Sequence, residues 1–283
     1  VKKKGFQLPC KEVPLMPMSA KYDTLGLNYN QTRKADPYLF ERLLSLLEPS
    51  KDASYLDIGC GTGNYTAQFL QKGFRFIGMD PSQIMLDKAH AFHPEGTWML
   101  GAAEDTGLPN ASVEGIVGTL TLHHWNNLEA AFKELYRILK PNGKLVFFTS
   151  TPQQMEGYWL QHYFPKMLEA SIQQMPSLET LENALTRAGF TITATEPYEV
   201  RKDLQDHFLY CGKEQPELYL DPIIRQGISS FSNLALQEEV HSGLTQLKSD
   251  IASHKIQNVI ESYENHLGDY LFIVAQKTTV HAS

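Results

Sequence analysis

Cysteine is scarce in this chain: Cys10, Cys60 and Cys211 are the whole complement among 283 residues. An odd, widely spaced set of three matches neither a disulfide framework nor a zinc knuckle, and it points to a reducing, cytoplasmic compartment. No apolar run approaches the roughly 18 residues that a membrane helix needs, so no membrane partner is expected. The longest candidate, residues 144–149 (Lys-Leu-Val-Phe-Phe-Thr), is only strand-sized. Positive charge is short too, because 25 Lys and Arg against 32 Asp and Glu give a net charge of −7. That balance disfavours nucleic acid, whose phosphates call for a basic surface. His207, His241, His254 and His266 have no compact ligand spacing, and no metal site is expected. The basic start, Val1 to Lys4, is followed by no apolar stretch or small-residue cleavage site, which argues against a secretion leader.

What is present is an alternation of strand and helix signals. Asp36-Pro37 reads as a helix cap followed by a first-turn proline, and Leu39, Leu43, Leu44, Leu46 and Leu47 give that helix its apolar face. Strands are expected over 53–58, 74–79, 97–100, 115–120 and 144–149. Helices are expected over 64–72, 81–90 and 128–139, the last stopped by Pro141-Asn142-Gly143. Such alternation implies right-handed crossovers and a doubly wound α/β fold with a mostly parallel sheet. Beyond residue 150 the pattern predicts an aromatic-rich helix over 153–175, another from 177 to 189, a strand over 190–200 and a final strand over 270–275. Residues 201–268 then form a mostly helical insertion before the last strand, too short for an independent domain. Residues 1–34 form an N-terminal segment ahead of the main domain, 35–283.

The chemistry concentrates in Tyr55-Leu-Asp-Ile-Gly-Cys-Gly-Thr-Gly63, which runs strand, acid, and three glycines at alternate positions before a helix. Glycine there lets the chain turn sharply and lets a ligand lie against main-chain atoms. In open parallel sheets, ligands settle beyond the carboxyl ends of the strands. Asp80 ends the second strand, where a carboxylate accepts from both hydroxyls of a ribose; the competing reading is that it merely caps the next helix. The glycine spacing is not the G-x-G-x-x-G of a dinucleotide site. Asp57, two residues before Gly59, would repel a pyrophosphate and suits a cationic ligand carrying an ammonium and a sulfonium, which is S-adenosylmethionine.

The order of five segments resembles class I S-adenosylmethionine-dependent methyltransferases, most of all the ubiquinone- and menaquinone-biosynthesis type of small-molecule enzyme. They are Leu56–Gly63, Gly78-Met-Asp-Pro-Ser82, Gly101-Ala-Ala-Glu104, Leu122-His-His124 and Leu139-Lys-Pro-Asn-Gly-Lys-Leu145. The resemblance implies a seven-stranded sheet with its last strand antiparallel, and in-line transfer of a methyl group to O, N or C of a small organic acceptor. It implies that Gly59, Cys60, Gly61 and Gly63 form the cofactor loop, with Asp57 near the methionine amino group and the Leu120 carbonyl facing it. It further implies Asp80 on the ribose, Ser82 and Met85 beside the adenine, and Ala103 and Glu104 at its far rim. Tyr22, Tyr29 and Arg33 match an N-terminal lid, the last two reaching the cofactor and Tyr22 the substrate. Relatives often place an acid where Ala102 stands, so that contact is absent or passes to Glu104 or Asp105.

His123 and His124 follow the fourth strand at the mouth of the expected site, and histidine serves as a general base near neutral pH. Adjacent residues at a strand end point opposite ways, so at most one of them should face the cofactor. The other reading has one imidazole packing on the sheet and the other ordering the loop. A base is not obligatory, since the sulfonium methyl is already activated and orientation supplies much of the gain. Trp159, His162 and Tyr163 stand where relatives line the acceptor pocket, although an aromatic stripe at helical spacing also suits a core. Two rivals remain at this level: a protein that binds the cofactor without catalysis, and a methyltransferase acting on RNA or protein. Nothing in the residues indicates an oligomeric state.

Overall fold

The computed structural model describes residues 32–263 and 265–278. Tyr22, Tyr29 and most of the expected lid therefore lie outside the described residues. The first helix, α1 (Pro37–Leu47), forms as its residues dictate: Asp36 accepts the Leu39 amide at 3.0 Å, Pro37 fills the first turn, and Leu39, Phe40, Leu43 and Leu47 are buried. Then follow β1 (Ser54–Ile58), α2 (Asn64–Gln71), β2 (Arg75–Asp80), α3 (Gln83–Phe92), β3 (Thr97–Leu100), β4 (Val113–Thr119), α4 (Leu128–Ile138) and β5 (Leu139–Thr149). Next come α5 (Pro152–Met155), α6 (Pro165–Gln174), α7 (Leu178–Ala188) and β6 (Phe190–Tyr198). Short helices α8 (Pro222–Gln226) and α9 (Ser229–Asn233) precede α10 (Gln237–Ala252), α11 (Ile256–Glu261) and the last strand, β7 (Tyr270–Lys277).

The seven strands form one sheet in the order β3-β2-β1-β4-β5-β7-β6. All pairs from β3 to β5 are parallel, while β7 runs antiparallel to both β5 and β6. Buried on both faces, the central strands are near-continuously apolar, as parallel strands must be. One apolar cluster joins α1 to Trp159, Tyr163 and Phe164 and to Phe208, Tyr219 and Phe231 of the stretch between β6 and β7. The other joins Phe132, Leu135, Leu181 and Leu185 of α4 and α7 to the opposite face. The stretch before β7 thus shares the main core. Its two ends meet where the Asp269 amide donates to the Tyr198 carbonyl at 2.8 Å.

Three expectations change. The helix expected over 153–175 is three pieces, α5, a single 3-10 turn at Trp159–His162, and α6. Gly157 separates the first two, and Pro165, with no N–H to donate, can only begin a helix there. Pro141-Asn142-Gly143 does not separate helix from strand but lies inside β5, as an irregularity where the β4 register jumps from Val113–Leu139 to Gly115–Lys144. The helix expected over 81–90, α3, starts later than residue 81, because Ser82 is its cap, accepting the Met85 amide. Among the described residues, no helix is long and apolar enough to cross a membrane.

Candidate active site

A cavity opens beyond the carboxyl ends of β1, β2 and β4, where the strand order reverses direction from β1. Ten of the residues singled out in the sequence line it: Arg33, Gly59, Gly61, Asp80, Met85, Ala103, Glu104, Leu120, His123 and His124.

The loop after β1 is held from below and open from above. The amides of Gly59 and Cys60 both donate to the Met79 carbonyl, at 2.8 and 3.0 Å, tying the turn to the end of β2. Gly59 and Gly61 have φ of +73° and +54°, a region that favours glycine, but their surroundings differ. A Cβ on Gly59 would stand 2.1 Å from Thr121 Oγ1, whereas one on Gly61 would meet nothing within 4 Å and project into open space. Gly59 is therefore demanded by packing against Thr121, and Gly61 is where a ligand can approach the main chain. Gly63 begins α2 and packs against Trp98; Cys60 turns its sulfur toward Gly78, and burial pushes its thiol well up. Neither lines the cavity.

Asp80 is buried, and each of its oxygens receives one amide: Gly61 N at 2.9 Å on Oδ2 and Ser82 N at 2.9 Å on Oδ1. Each oxygen keeps further acceptor capacity. Burial raises its pKa, and the two amides counter that shift. The capping alternative fails, since the cap of α3 is Ser82 itself, whose Oγ accepts the Met85 amide at 3.4 Å. Ser82 is occupied in this way and is absent from the lining.

Asp57, at 1% exposure, lies beneath the loop. Its Oδ2 accepts the Thr66 hydroxyl at 2.6 Å, while its Oδ1 is buried without a hydrogen-bond partner. Burial raises its pKa to about 7; the Thr66 bond opposes that, and the nearby Asp80 charge adds to it. Two neighbouring carboxylates, both pushed toward neutrality, make a site whose electrostatic demand is for positive charge.

Leu120, directly after β4, holds a φ of +51°, costly for a branched side chain, while its amide donates to the Phe148 carbonyl at 2.8 Å. His123 and His124 occupy a 3-10 turn, Leu122–His124, rather than a continued strand. The alternation argument does not apply to such a turn, and both residues line the cavity, their ring centroids 3.8 Å apart. Glu104 accepts the amides of Asn126 and Asn127 at 2.8 and 3.1 Å, fixing the loop that carries the histidines. Arg33 Nε donates to Asp206 at 2.5 Å, and the Arg33 carbonyl accepts from Asn64 Nδ2 at 2.6 Å, so this residue bridges α2 and the stretch before β7.

The expected acceptor residues are elsewhere. Trp159 and Tyr163 are in the core, bonded to the Lys213 carbonyl and to Asp250, and His162 is exposed beside Gln246. The break at Gly157 and Pro165 turns these rings onto the helices before β7. In their place the lining takes Ser150, Met155, Ser171 and Gln174 from the segment after β5, and Phe208, Ile228 and Ser230 from the stretch before β7. Met155, Ser171 and Gln174 fall within the aromatic-rich stretch 153–175, but the sequence singles out its aromatic residues and not these.

A glycine turn, a ribose-competent acid and a cation-seeking pair of carboxylates on this sheet define a nucleoside-binding α/β enzyme. Residues 56–147 match a family described as methyltransferase domain. The chain is similar to a crystal structure described as a candidate methyltransferase from an antibiotic biosynthesis pathway of Anabaena variabilis. The identity is 32%, over 88% of this chain and all of that one, with a TM-score of 0.78. A malonyl-[acyl-carrier protein] O-methyltransferase of Erwinia pyrifoliae is 28% identical over 64% of this chain and 70% of its own length. One from Serratia marcescens is 32% identical over 43% of this chain, which spans 49% of that relative. The chain belongs to the class I S-adenosylmethionine-dependent methyltransferases of the small-molecule type, and S-adenosylmethionine is its cofactor.

Proposed function

We propose that the glycine-loop end of the cavity holds the cofactor and that the end walled by the segments after β5 receives a small organic methyl acceptor. When bound, S-adenosylmethionine supplies a methyl group already activated by its sulfonium. Asp80, with one amide on each oxygen and lone pairs to spare, accepts from the ribose diol. The open face of Gly61, the main chain of Gly59 and the Leu120 carbonyl take the methionine part, and the unpartnered Asp57 oxygen beneath them draws its ammonium. Met85, Ala103 and Glu104 border the adenine, and Arg33 stands beside the cofactor. Residues 201–268 act as the cap that excludes water from the acceptor. His123 or His124 takes a proton from the acceptor when the attacking atom carries one.

The observation that carries this reading is that Asp80 and the open face of Gly61 meet at one cavity end, with the unpartnered Asp57 oxygen buried beneath the same loop. Calorimetry with S-adenosylhomocysteine tests it. The unaltered chain should bind, and Asp80→Ala should lose at least about 1.5–3 kcal/mol, the worth of hydrogen bonds to a charged group, without unfolding. Equal affinity in the variant would remove Asp80 from the cofactor site.

A further inference from the structure

The turn that carries the two histidines is short, and much of what holds it comes from outside. Leu122–His124 is closed by two backbone bonds, from His124 N to the Thr121 carbonyl at 2.9 Å and from Trp125 N to the Leu122 carbonyl at 3.3 Å. A single 3-10 turn has poor hydrogen-bond geometry and little stiffness of its own. Its leading end is anchored: the Leu120 amide reaches the Phe148 carbonyl, and the buried Thr121 accepts the Trp125 indole N–H at 3.3 Å. Its trailing end, Asn126 and Asn127, is exposed, and a single side-chain oxygen, Glu104 Oε1, accepts both amides at 2.8 and 3.1 Å. Hydrogen bonds to a carboxylate are about twice as strong as those between neutral groups.

Those two amides belong to the loop and not to the helix behind it. α4 begins at Leu128 and has its own cap in Asn127, whose Oδ1 accepts the Ala130 amide at 3.0 Å. Glu104 is thus not the side-chain cap of α4. The segment that presents Glu104 is firm: Ala102 and Asp105 exchange backbone bonds at 3.3 and 3.1 Å, and the Gly101 amide donates to the Asp80 carbonyl at 3.2 Å. A line of bonded residues therefore runs from the end of β2, through Glu104, to the loop directly after the histidines.

Resting on the reading that an imidazole of this turn meets the methyl acceptor, we infer that Glu104 is a positioning residue: by gripping the loop at Asn126 and Asn127 it fixes His123 and His124 relative to Asp80. Glu104 transfers no proton in this role. It joins the strand end assigned to the ribose to the turn assigned to the base, so that both are placed by one frame.

Carbethoxylation of the full chain with diethyl pyrocarbonate, followed residue by residue by mass spectrometry, reads the setting of each imidazole without needing the acceptor. Glu104→Ala removes both bonds, and modification of His123 or His124 should speed up by about three-fold or more as the turn opens. His90 and His254, exposed on other elements, should keep their unaltered rates. Glu104→Gln retains an accepting oxygen and should return the rate to within about two-fold of the unaltered chain. The near-UV circular dichroism of Trp125, isolated as the difference from Trp125→Phe, should weaken in Glu104→Ala and recover in Glu104→Gln. If Glu104→Ala does not fold, Glu104→Asp, whose reach is one methylene shorter, takes its place with the same expectations. Unchanged histidine rates and an unchanged Trp125 signal, with only thermal stability lowered, would overturn the inference. So would acceleration shared by His90 and His254, or a change that Glu104→Gln does not restore. S-Adenosylhomocysteine production by His123→Ala and His124→Ala tests the base separately. Full turnover in both removes the base while the reactivity result stands; turnover lost in one of them, with reactivity indifferent to Glu104, sinks the positioning role alone.

Discussion

Replacing Asp57 with Asn asks whether the cofactor site is held in a state that costs the empty fold stability. The carboxyl keeps its proton until about pH 7 in the folded chain, against an ordinary value of 3.8. Between those two values the folded state binds more protons than the unfolded one, so stability falls as pH rises through that window. A shift of about 3 units at about 1.36 kcal/mol each sets the loss at on the order of 4 kcal/mol, complete above about pH 7. Asn keeps the shape and the oxygen that faces Thr66 but never ionises. Urea unfolding from pH 4 to 8, without ligand, should show Asp57→Asn and the unaltered chain nearly equal at pH 4. By pH 8 the variant should be more stable by a few kcal/mol. Cofactor binding should move oppositely, because a cation beside the ionised carboxylate lowers its pKa. Affinity of the unaltered chain for S-adenosylhomocysteine should rise from pH 5 to 8, and that of the variant should change less. A variant less stable than the unaltered chain at pH 8, or a stability difference flat in pH, would refute the reasoning by showing that the apo carboxylate is already charged and compensated.

Other substitutions separate packing from ligand contact. Gly59→Ala should destabilise the fold by about 2–4 kcal/mol, through its collision with Thr121, whereas Gly61→Ala should cost about 1–2 kcal/mol of backbone strain while weakening S-adenosylhomocysteine binding; thermal melts and calorimetry on both check the contrast. His123→Ala or His124→Ala should cut S-adenosylhomocysteine production from a metabolite extract by about 100-fold or more if that imidazole is the base, with cofactor affinity unchanged; full turnover in both would remove the proposal. Asp206→Ala strips the carboxylate from both Arg33 and the Tyr65 hydroxyl and should cost about 3–5 kcal/mol in denaturant unfolding.

Much of the fold could be read from residue order because local and global signals agree here. Asp36-Pro37, the apolar β1 and the glycines after it each permit one structure. The sequence failed where tertiary packing decides. Nothing local reveals that Pro141 to Gly143 fold into β5, or that Gly157 and Pro165 turn Trp159 and Tyr163 away from the cavity. The glycine loop illustrates the same divide. Its spacing announces a close approach, but only the three-dimensional neighbours show that Gly59 packs against Thr121 while Gly61 faces open space. The place of Asp80 at the cavity was legible because it ends a strand beside the glycine turn, whereas Ser171 and Ser230 meet only after two distant segments fold together.

The stretch before β7 leaves the sheet at Tyr198 and rejoins it at Asp269, with one backbone hydrogen bond closing its base. Its point of departure and its point of return are thus adjacent rungs of the same ladder. Closing a loop costs only about 0.6 kcal/mol more for each doubling of its length. A longer or shorter stretch could thus replace this one and change that wall of the cavity while the strand ends on its other side stay as they are.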